Sequence, residues 1–411
     1  MRSVEEQLSV VLAAVNPVAS ETIALDRAYG RTLREPVFAR VDIPVFDNSA
    51  MDGFAVRYAD VAGASSDSPV TLRVVADLPA GTDLDPSLGA GEAARIMTGS
   101  PVPADADGIV PFEGTTGGLA DSLETVTVVA PPSDAGVHVR RRGSDARVGD
   151  LIVPAGRRLA GFQISAAAAA GVAEVVVART PRVAVISTGS ELALPGVPLT
   201  RGQIPESNSL LLAGLVTDAD AEVVLRSTVA DDVEALRAAL AEASALSADV
   251  VITSGGVSAG AYEVVKDTLG PGGELEFAKV AMQPGKPQGF GRLADGALMF
   301  GLPGNPVSVA VSFEVFVRPA LLAMQGRGEM SRAMLRLPAA TGWRTPPGRR
   351  QYLPAALDRS DPARWTVRPA SAGGSGSHLA GGIARAEIFA IVAADVDEIA
   401  PGDLVDVMLI T

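Results

Sequence analysis

The chain contains no cysteine, which excludes disulfides, thiolate nucleophiles and cysteine metal sites together. Only two histidines occur, His138 and His378, and neither has an obvious partner nearby in sequence for a metal cluster or a Ser-His-Asp triad. Lysine is nearly absent too. Of 34 basic residues 31 are arginine, and the three lysines, Lys266, Lys279 and Lys286, fall inside one 21-residue stretch. Aromatic residues make up 4%, too few for base-stacking platforms, and a net charge of −14 opposes the phosphate neutralisation that nonspecific nucleic-acid binding needs. Nucleic acid is not an expected partner. No apolar run reads as a membrane span, because segments such as 172–177 are short and flanked by turn residues, so no membrane is expected either. The first fifteen residues carry acids and a helical period without a signal-cleavage pattern, which makes the cytoplasm the expected compartment.

What remains is a chain of 411 residues, 47% hydrophobic and 20% charged, which is globular and long enough for two to four domains. Its chemistry must rest on carboxylates, amines, hydroxyls and backbone amides. Residues 3–15 read as an amphipathic helix, with Val4, Leu8, Val11, Leu12 and Val15 at helical spacing behind Ser3. From 41 to 138 the chain is rich in Gly, Pro, Asp and Thr, with short β-like runs at 71–75 and 125–129, the pattern of a small inserted β-rich domain. Residues 140–158 and the alanine-rich stretch 164–171 resemble a return to a helical linker, so 1–40 and 139–172 are read as one discontinuous domain. Across 173–328 strands alternate with helices: strands at 182–187, 222–225, 249–253, 276–281 and 297–301, and helices at 207–219, 232–246, 262–269 and 306–324. That rhythm predicts an α/β domain with a parallel sheet covered on both faces. Asp231 and Glu234 have the capping-box spacing for the helix at 232–246. Residues 329–411 hold short β runs between Gly, Pro and Ser clusters, the pattern of a β-barrel-like domain.

Parallel sheets bind ligands beyond the carboxyl ends of their strands. Three glycine-bearing loops lie at such ends: STGSEL (187–192), TSGGVSAG (253–260) and GLPGNPVS (301–308). Glycines admit an anion close to backbone amides, and a helix N-terminus adds partial positive charge, so three such loops on one edge would cradle phosphates. No GxxxxGK[ST] occurs, and the GxGxxA match at 89–94 lacks a preceding strand of the right kind. Three acids sit in or after these turns: Glu191, Asp231 and Glu263. As surface carboxylates or a helix cap they are unremarked; together they can hold a hard divalent cation that bridges phosphate oxygens. The clustered lysines mark 266–286 as a candidate site wall, since an ammonium meets an anion as a compact point charge where arginine cannot.

DIPVFDNSAMDGFAV (42–56), IMTGSPVPADAD (96–107), RRRGSD (140–145), STGSEL, TSGGVSAG, PGKP (284–287) and GLPGNPVS resemble, in order and over essentially the whole chain, the molybdopterin molybdenumtransferase family. That family includes MoeA and the C-terminal domain of gephyrin. The resemblance implies four domains, the third being the α/β molybdopterin-binding unit, and an elongated homodimer in which the inserted domain of one subunit faces the α/β domain of the other. It implies adenylylated molybdopterin and molybdate as substrates, AMP as product and magnesium as the ion, with other molybdenum-cofactor biosynthesis proteins as possible partners. By motif position it makes Asp52, Thr98, Asp145, Glu191, Asp231 and Glu263 catalytic, with the last three also metal ligands. Ser187, Gly189, Ser254, Gly255, Gly256 and Ser258 match the ligand loops. Lys279, Lys286 and Pro287 match basic and oxyanion positions, Pro303, Gly304, Asn305 and Pro306 the third loop, and Arg349 and Ser377 the final domain's share of the oxyanion site.

Three positions depart from the pattern. Glu263 stands for the usual aspartate, Gln283 for a common lysine ahead of PGKP, and Ser144 for a frequent glutamate. The alternative activities are adenylylation of molybdopterin and a non-catalytic carrier or scaffold role. The inserted domain and β tail weigh against the first, and retention of Asp52, Glu191 and Asp231 against the second.

Overall fold

The computed structural model describes residues 1–120, 123–257, 264–371 and 380–410. Its first helix, Val4–Ala13, begins with a complete capping box: the Ser3 hydroxyl accepts the Glu6 N–H at 3.0 Å, and the Glu6 carboxylate accepts the Ser3 N–H at 2.7 Å. Val4 and Val11 of this helix are buried in the core of the α/β unit. Ser20–Ala24 pairs with Glu174–Ala178, and Val37–Phe38 with Leu151–Val153. Leu33, Val37, Leu159, Ala167 and Val177 share one core, so residues far apart in the chain close on each other. The expected helical linker is helical only over Gly161–Ala169; 140–158 carries the strands Val139–Arg140 and Leu151–Val153. Between these segments stands a five-stranded sheet in the order Gly108–Pro111, Gly53–Val56, Glu92–Ile96, Val70–Leu78, Thr125–Val128, with cores on both faces.

The central sheet has six strands: β1 Arg182–Thr188, β2 Glu222–Val229, β3 Val250–Ser254, β4 Leu275–Lys279, β5 Pro287–Arg292 and β6 Leu298–Leu302, ordered β2-β1-β3-β6-β5-β4. Four of them, β2, β1, β3 and β6, are parallel. The expectation of an all-parallel sheet is corrected at the other edge, where β5 runs antiparallel to both β6 and β4. Only seven residues join β4 to β5, and a parallel crossover needs a dozen or more. Alternation is strict where both faces are covered: Val183 and Val185 pack into one core, Ala184 and Ile186 into the other.

The reading that no run suits a membrane also needs correction. Pro306–Gln325 has the length and apolar composition to cross one, with a mean hydropathy of 1.7, yet 89% of its most apolar window is buried inside the protein. It is the core helix of this fold. Its middle widens into a π turn over Phe313–Val317, just before Pro319, which has no N–H for the Val315 carbonyl and crowds it with its ring.

The C-terminal strands Arg350–Asp358, Ile388–Val392, Leu404–Leu409 and Met334–Pro338 pair in that order, and Thr366–Pro369 pairs with the first. A bridge between Ala339 and Val367 brings the two outer strands together around a core that includes Leu353, Ile388 and Val407. Met282–Gln283 adds to this sheet in parallel with Arg350–Gln351. That pairing ties the PGKP loop to the final domain.

Asp220 joins three segments. Its carboxylate accepts Arg158 Nε at 2.8 Å and Nη2 at 2.9 Å, and Arg327 pairs with it as well. Burial pushes this carboxyl up, but the two guanidinium groups outweigh it and hold it below the usual carboxylate range. A depressed folded value gives stability that is present above the unfolded pKa of about 3.9 and is lost as pH falls through the folded one. Asp220→Asn is therefore expected to cost about 2 kcal/mol at pH 7, less than for a fully buried pair because Arg158 is partly exposed. The gap between variant and parent should close on acidification below pH ~4. Thermal melts at pH 7 and pH 3 check this, and a gap that stays constant would refute it.

Candidate functional site

One cleft of about 900 Å³ opens at the carboxyl ends of the parallel strands. After β1, Thr188, Gly189 and Glu191 line it; after β2, Asp231; after β3, Ser254, Gly255 and Gly256. After β6 come Pro303, Gly304, Asn305 and Pro306. Gln283, Gly285, Lys286 and Pro287 form another wall, and Arg349 reaches in from the C-terminal domain. Two carboxylates and two cations thus share one cavity.

Local geometry explains why. Gly255 has φ +97°, and a Cβ there would lie 2.6 Å from the Thr188 carbonyl oxygen, so only glycine lets β1 and β3 end side by side. Asp231 was expected to cap the helix Val233–Ala245, but that cap is Asp232, whose carboxylate accepts the Ala235 N–H at 2.8 Å. Asp231 is thereby left to the cleft. Its carboxylate accepts the Ser190 N–H at 3.1 Å while the Ser190 hydroxyl accepts the Asp231 N–H at 3.1 Å, which fastens the first loop to the second. Glu191 and Asp231 present oxygen donors of the kind a hard divalent cation takes. Among the described residues no group of three acids or histidines is close enough to hold a metal.

Other expected site residues lie elsewhere. Of the three lysines only Lys286 lines the cleft. Lys279 ends β4 at the outer edge of the sheet, exposed, with its carbonyl accepting the Arg2 N–H at 2.9 Å, and Lys266 is exposed on the helix Val264–Leu269. The proposed lysine wall is thus a single lysine, because a helix, an edge strand and a turn separate the three in space. Ser187 does not reach the cavity. It is fully buried and turns its hydroxyl to Glu206 at 2.8 Å. Asp52, Thr98 and Asp145 sit on the inserted domain and its exit and do not line the cleft of their own chain. The Thr98 N–H donates to Asp52 at 2.6 Å and holds that carboxyl below its usual range, with the Thr98 hydroxyl adding to the effect. Ser258, Glu263 and Ser377 lie outside the described residues.

Two residues at the cleft, Asn208 and Glu206, were not named from the sequence, and a third, Gln283, was named there only as a departure from the family pattern. Asn208 lines the cleft and donates from Nδ2 to the Gly304 carbonyl at 2.7 Å. Gln283, noted only as a departure, lines it too, and its side-chain oxygen is buried without a hydrogen-bond partner. Glu206 lies behind the wall, 2% exposed, and accepts from Ser187 and from both the N–H and hydroxyl of Ser209. Glu206 and Asn208 both stand in IPESNS (204–209), where the expected helix at 207–219 takes in Asn208 and begins one residue after Glu206.

The fold and this cleft define a multidomain protein built around an α/β unit with a ligand cleft at its strand ends, and the chain matches three family models in succession. Residues 2–171 match the MoeA N-terminal region (domain I and II), 184–323 a probable molybdopterin binding domain, and 336–410 the MoeA C-terminal region (domain IV). The chain belongs to the molybdopterin molybdenumtransferase family. It is 45% identical to molybdopterin molybdenumtransferase 2 of Mycobacterium tuberculosis over the full length of both, and 35% identical to molybdopterin molybdenumtransferase 1 of the same organism over 99% of this chain and 98% of that one. Among solved structures it resembles the molybdopterin biosynthesis MoeA protein of Pyrococcus horikoshii, with TM-score 0.80 and 32% identity over 100% of this chain and 99% of that chain.

Proposed function

We propose that this chain inserts molybdenum from molybdate into adenylylated molybdopterin and releases AMP, in molybdenum cofactor biosynthesis. The observation that carries this reading is the meeting of Glu191, Asp231, Lys286 and Arg349 around one cavity floored by glycine turns. Molybdate and a pyrophosphate link are both anions, so bringing them together demands positive charge and amide donors at close range. Lys286 offers a compact charge and Arg349 a planar fork for a tetrahedral oxyanion, beside Pro287. The amides around Gly189, Gly255, Gly256 and Gly304 offer donors to phosphate oxygens. Glu191 and Asp231, with Glu263, would hold magnesium, which would supply charge neutralisation at the phosphates. Cleavage of the phosphoryl link by water then needs orientation more than a strong nucleophile, which suits a chain without cysteine.

Asp52, Thr98 and Asp145 enter this reading through a homodimer, in which the inserted domain of a second copy faces the cleft. Other cofactor-assembly proteins would hand over the substrate in the cytoplasm. The test is the purified protein given adenylylated molybdopterin and molybdate. One AMP is expected per molybdenum inserted. ATP consumption instead would assign adenylylation, and bound pterin without turnover a carrier.

A further inference from the structure

Glu206 is a buried carboxylate that nothing in the reaction above uses, and among the described residues it has no cationic partner. It accepts three hydrogen bonds: from the Ser187 hydroxyl at 2.8 Å, the Ser209 N–H at 2.8 Å and the Ser209 hydroxyl at 2.6 Å. A serine hydroxyl has one proton to give. Ser187 gives its proton to Glu206, so the 3.1 Å contact between Ser187 Oγ and Ser254 Oγ is a hydrogen bond only if Ser254 donates. Ser254 lines the cleft, and with its proton committed inward it can offer only lone pairs there. Asn208 has the same polarity. Its Nδ2 is held by the Gly304 carbonyl, and its Oδ1 is an acceptor with no partner in the protein, in a side chain that is 8% exposed and lines the same cavity.

We propose that Glu206 is a positioning residue that, through Ser187, fixes Ser254 as a hydrogen-bond acceptor, so that this part of the cleft receives a donor edge of the ligand, the ring N–H and exocyclic amine of an aminopyrimidinone, and not a phosphate oxygen. This rests on the proposed function in so far as the cleft takes a pterin. It reverses the role that the glycine loop alone suggests for Ser254, as a donor to phosphate. The phosphates then belong to the backbone amides and the cationic wall, and the pterin to the acceptor floor beside Asn208.

The chemistry at Glu206 makes the test specific. The Ser209 N–H can only donate, so in Glu206→Gln the amide oxygen takes the place that also accepts from Ser187, while the amide nitrogen faces the Ser209 hydroxyl, which can turn to accept. The inward polarity survives. In Glu206→Met it does not, and Ser187 is free to donate to Ser254. Binding of 6-hydroxymethylpterin and of AMP is measured separately by titration calorimetry on the full-length protein. Glu206→Gln is expected to bind the pterin within about twofold of the parent. Glu206→Met and Ser254→Ala should each bind it about tenfold more weakly, with AMP affinity unchanged. The Glu206→Met/Ser254→Ala double variant should be no weaker than Ser254→Ala alone, because one residue acts through the other. Additive losses, a parallel loss for AMP, or a Gln variant as impaired as the Met variant would each overturn the proposal. Should Glu206→Met fail to fold, Ser254→Ala alone decides: unchanged pterin affinity overturns it. A parent protein that releases AMP yet binds no pterin defeats this inference and leaves the activity standing. A parent that binds pterin with the expected pattern but releases no AMP does the reverse.

Discussion

Replacing Lys286 by methionine is expected to lower kcat/KM for molybdate about 10²–10³-fold while leaving the thermal midpoint where it was. The two halves of that expectation have separate causes. Lys286 has no ion pair among the described residues, so its loss leaves no buried charge uncompensated. The loop that carries it is held by other means. The Val280 N–H donates to the Lys286 carbonyl at 2.8 Å, and Gln288 Nε2 donates to the Gly285 carbonyl at 2.6 Å and to Ser312 Oγ at 2.8 Å. Gly285 has φ +100°, and a Cβ there would stand 3.0 Å from Met282 Cε and 3.1 Å from Ser312 Oγ. The turn is thus anchored on the long core helix, and the ammonium is delivered to the cleft on a fixed support. With Gln283 in place of a second lysine, this one ammonium and Arg349 are the cationic side chains lining the cavity among the described residues. Lys286→Arg keeps the charge but spreads it over a planar group, and is expected to restore activity only in part. Steady-state rates at varied molybdate with the parent and both variants decide it; full activity in the methionine variant would remove Lys286 from the proposed oxyanion site.

The parallel half of the central sheet was legible because both of its faces are covered. The middles of RVAVIS and DVVIT and the run at 297–301 hold no polar side chain, as strands buried on two sides require. The long helix was legible for the same reason. The strand Pro287–Arg292 was not read, because PQGFGR alternates glycine with larger residues and begins with proline, which argues for a loop in sequence. Proline is tolerated there as the first residue of the strand. The strand Arg350–Asp358 was hidden likewise by Pro354 and two flanking arginines. At the cleft, the glycine loops, Glu191, Asp231 and Lys286 could be named from their positions at strand ends, where topology alone brings them together. Ser187 could not be sorted from true lining residues, because one residue of offset along a strand turns a side chain from the cleft to the interior, and Lys279 could not, because its strand lies at the outer edge of the sheet. Glu206 announced nothing: a carboxylate buried among serines looks, in sequence, like any acid ahead of a helix.

The other large effect concerns the helix that begins in the GLPGNPVS loop. Glu314, in its π turn, is 4% exposed; its carboxylate accepts Arg332 Nε and Nη2, both at 2.9 Å, and stands 3.9 Å from Arg318 Nε. Arg318 Nε has no hydrogen-bond partner, so Glu314 is its countercharge through space alone. Burial pulls the Arg318 guanidinium down to about 10, with Arg332 adding to the fall and Glu314 opposing it. Because the folded value lies below the unfolded one, the cost of holding this charge is fully present at every pH below about 10 and is relieved only above it. Glu314→Gln removes the carboxylate that stands against two close guanidinium groups and is expected to destabilise the α/β unit by about 3–5 kcal/mol, a fall in its melting midpoint on the order of 10 °C. The shift should be the same from pH 6 to pH 9. Removing the charges together, as Glu314→Leu with Arg318→Met and Arg332→Met, should recover most of the loss, since an apolar cluster in the same space has no desolvation to offset. Calorimetric melts of the parent, the single and the triple variant test the argument. A single variant that melts with the parent would mean that the three charges are solvated and that their pairing contributes nothing to this turn.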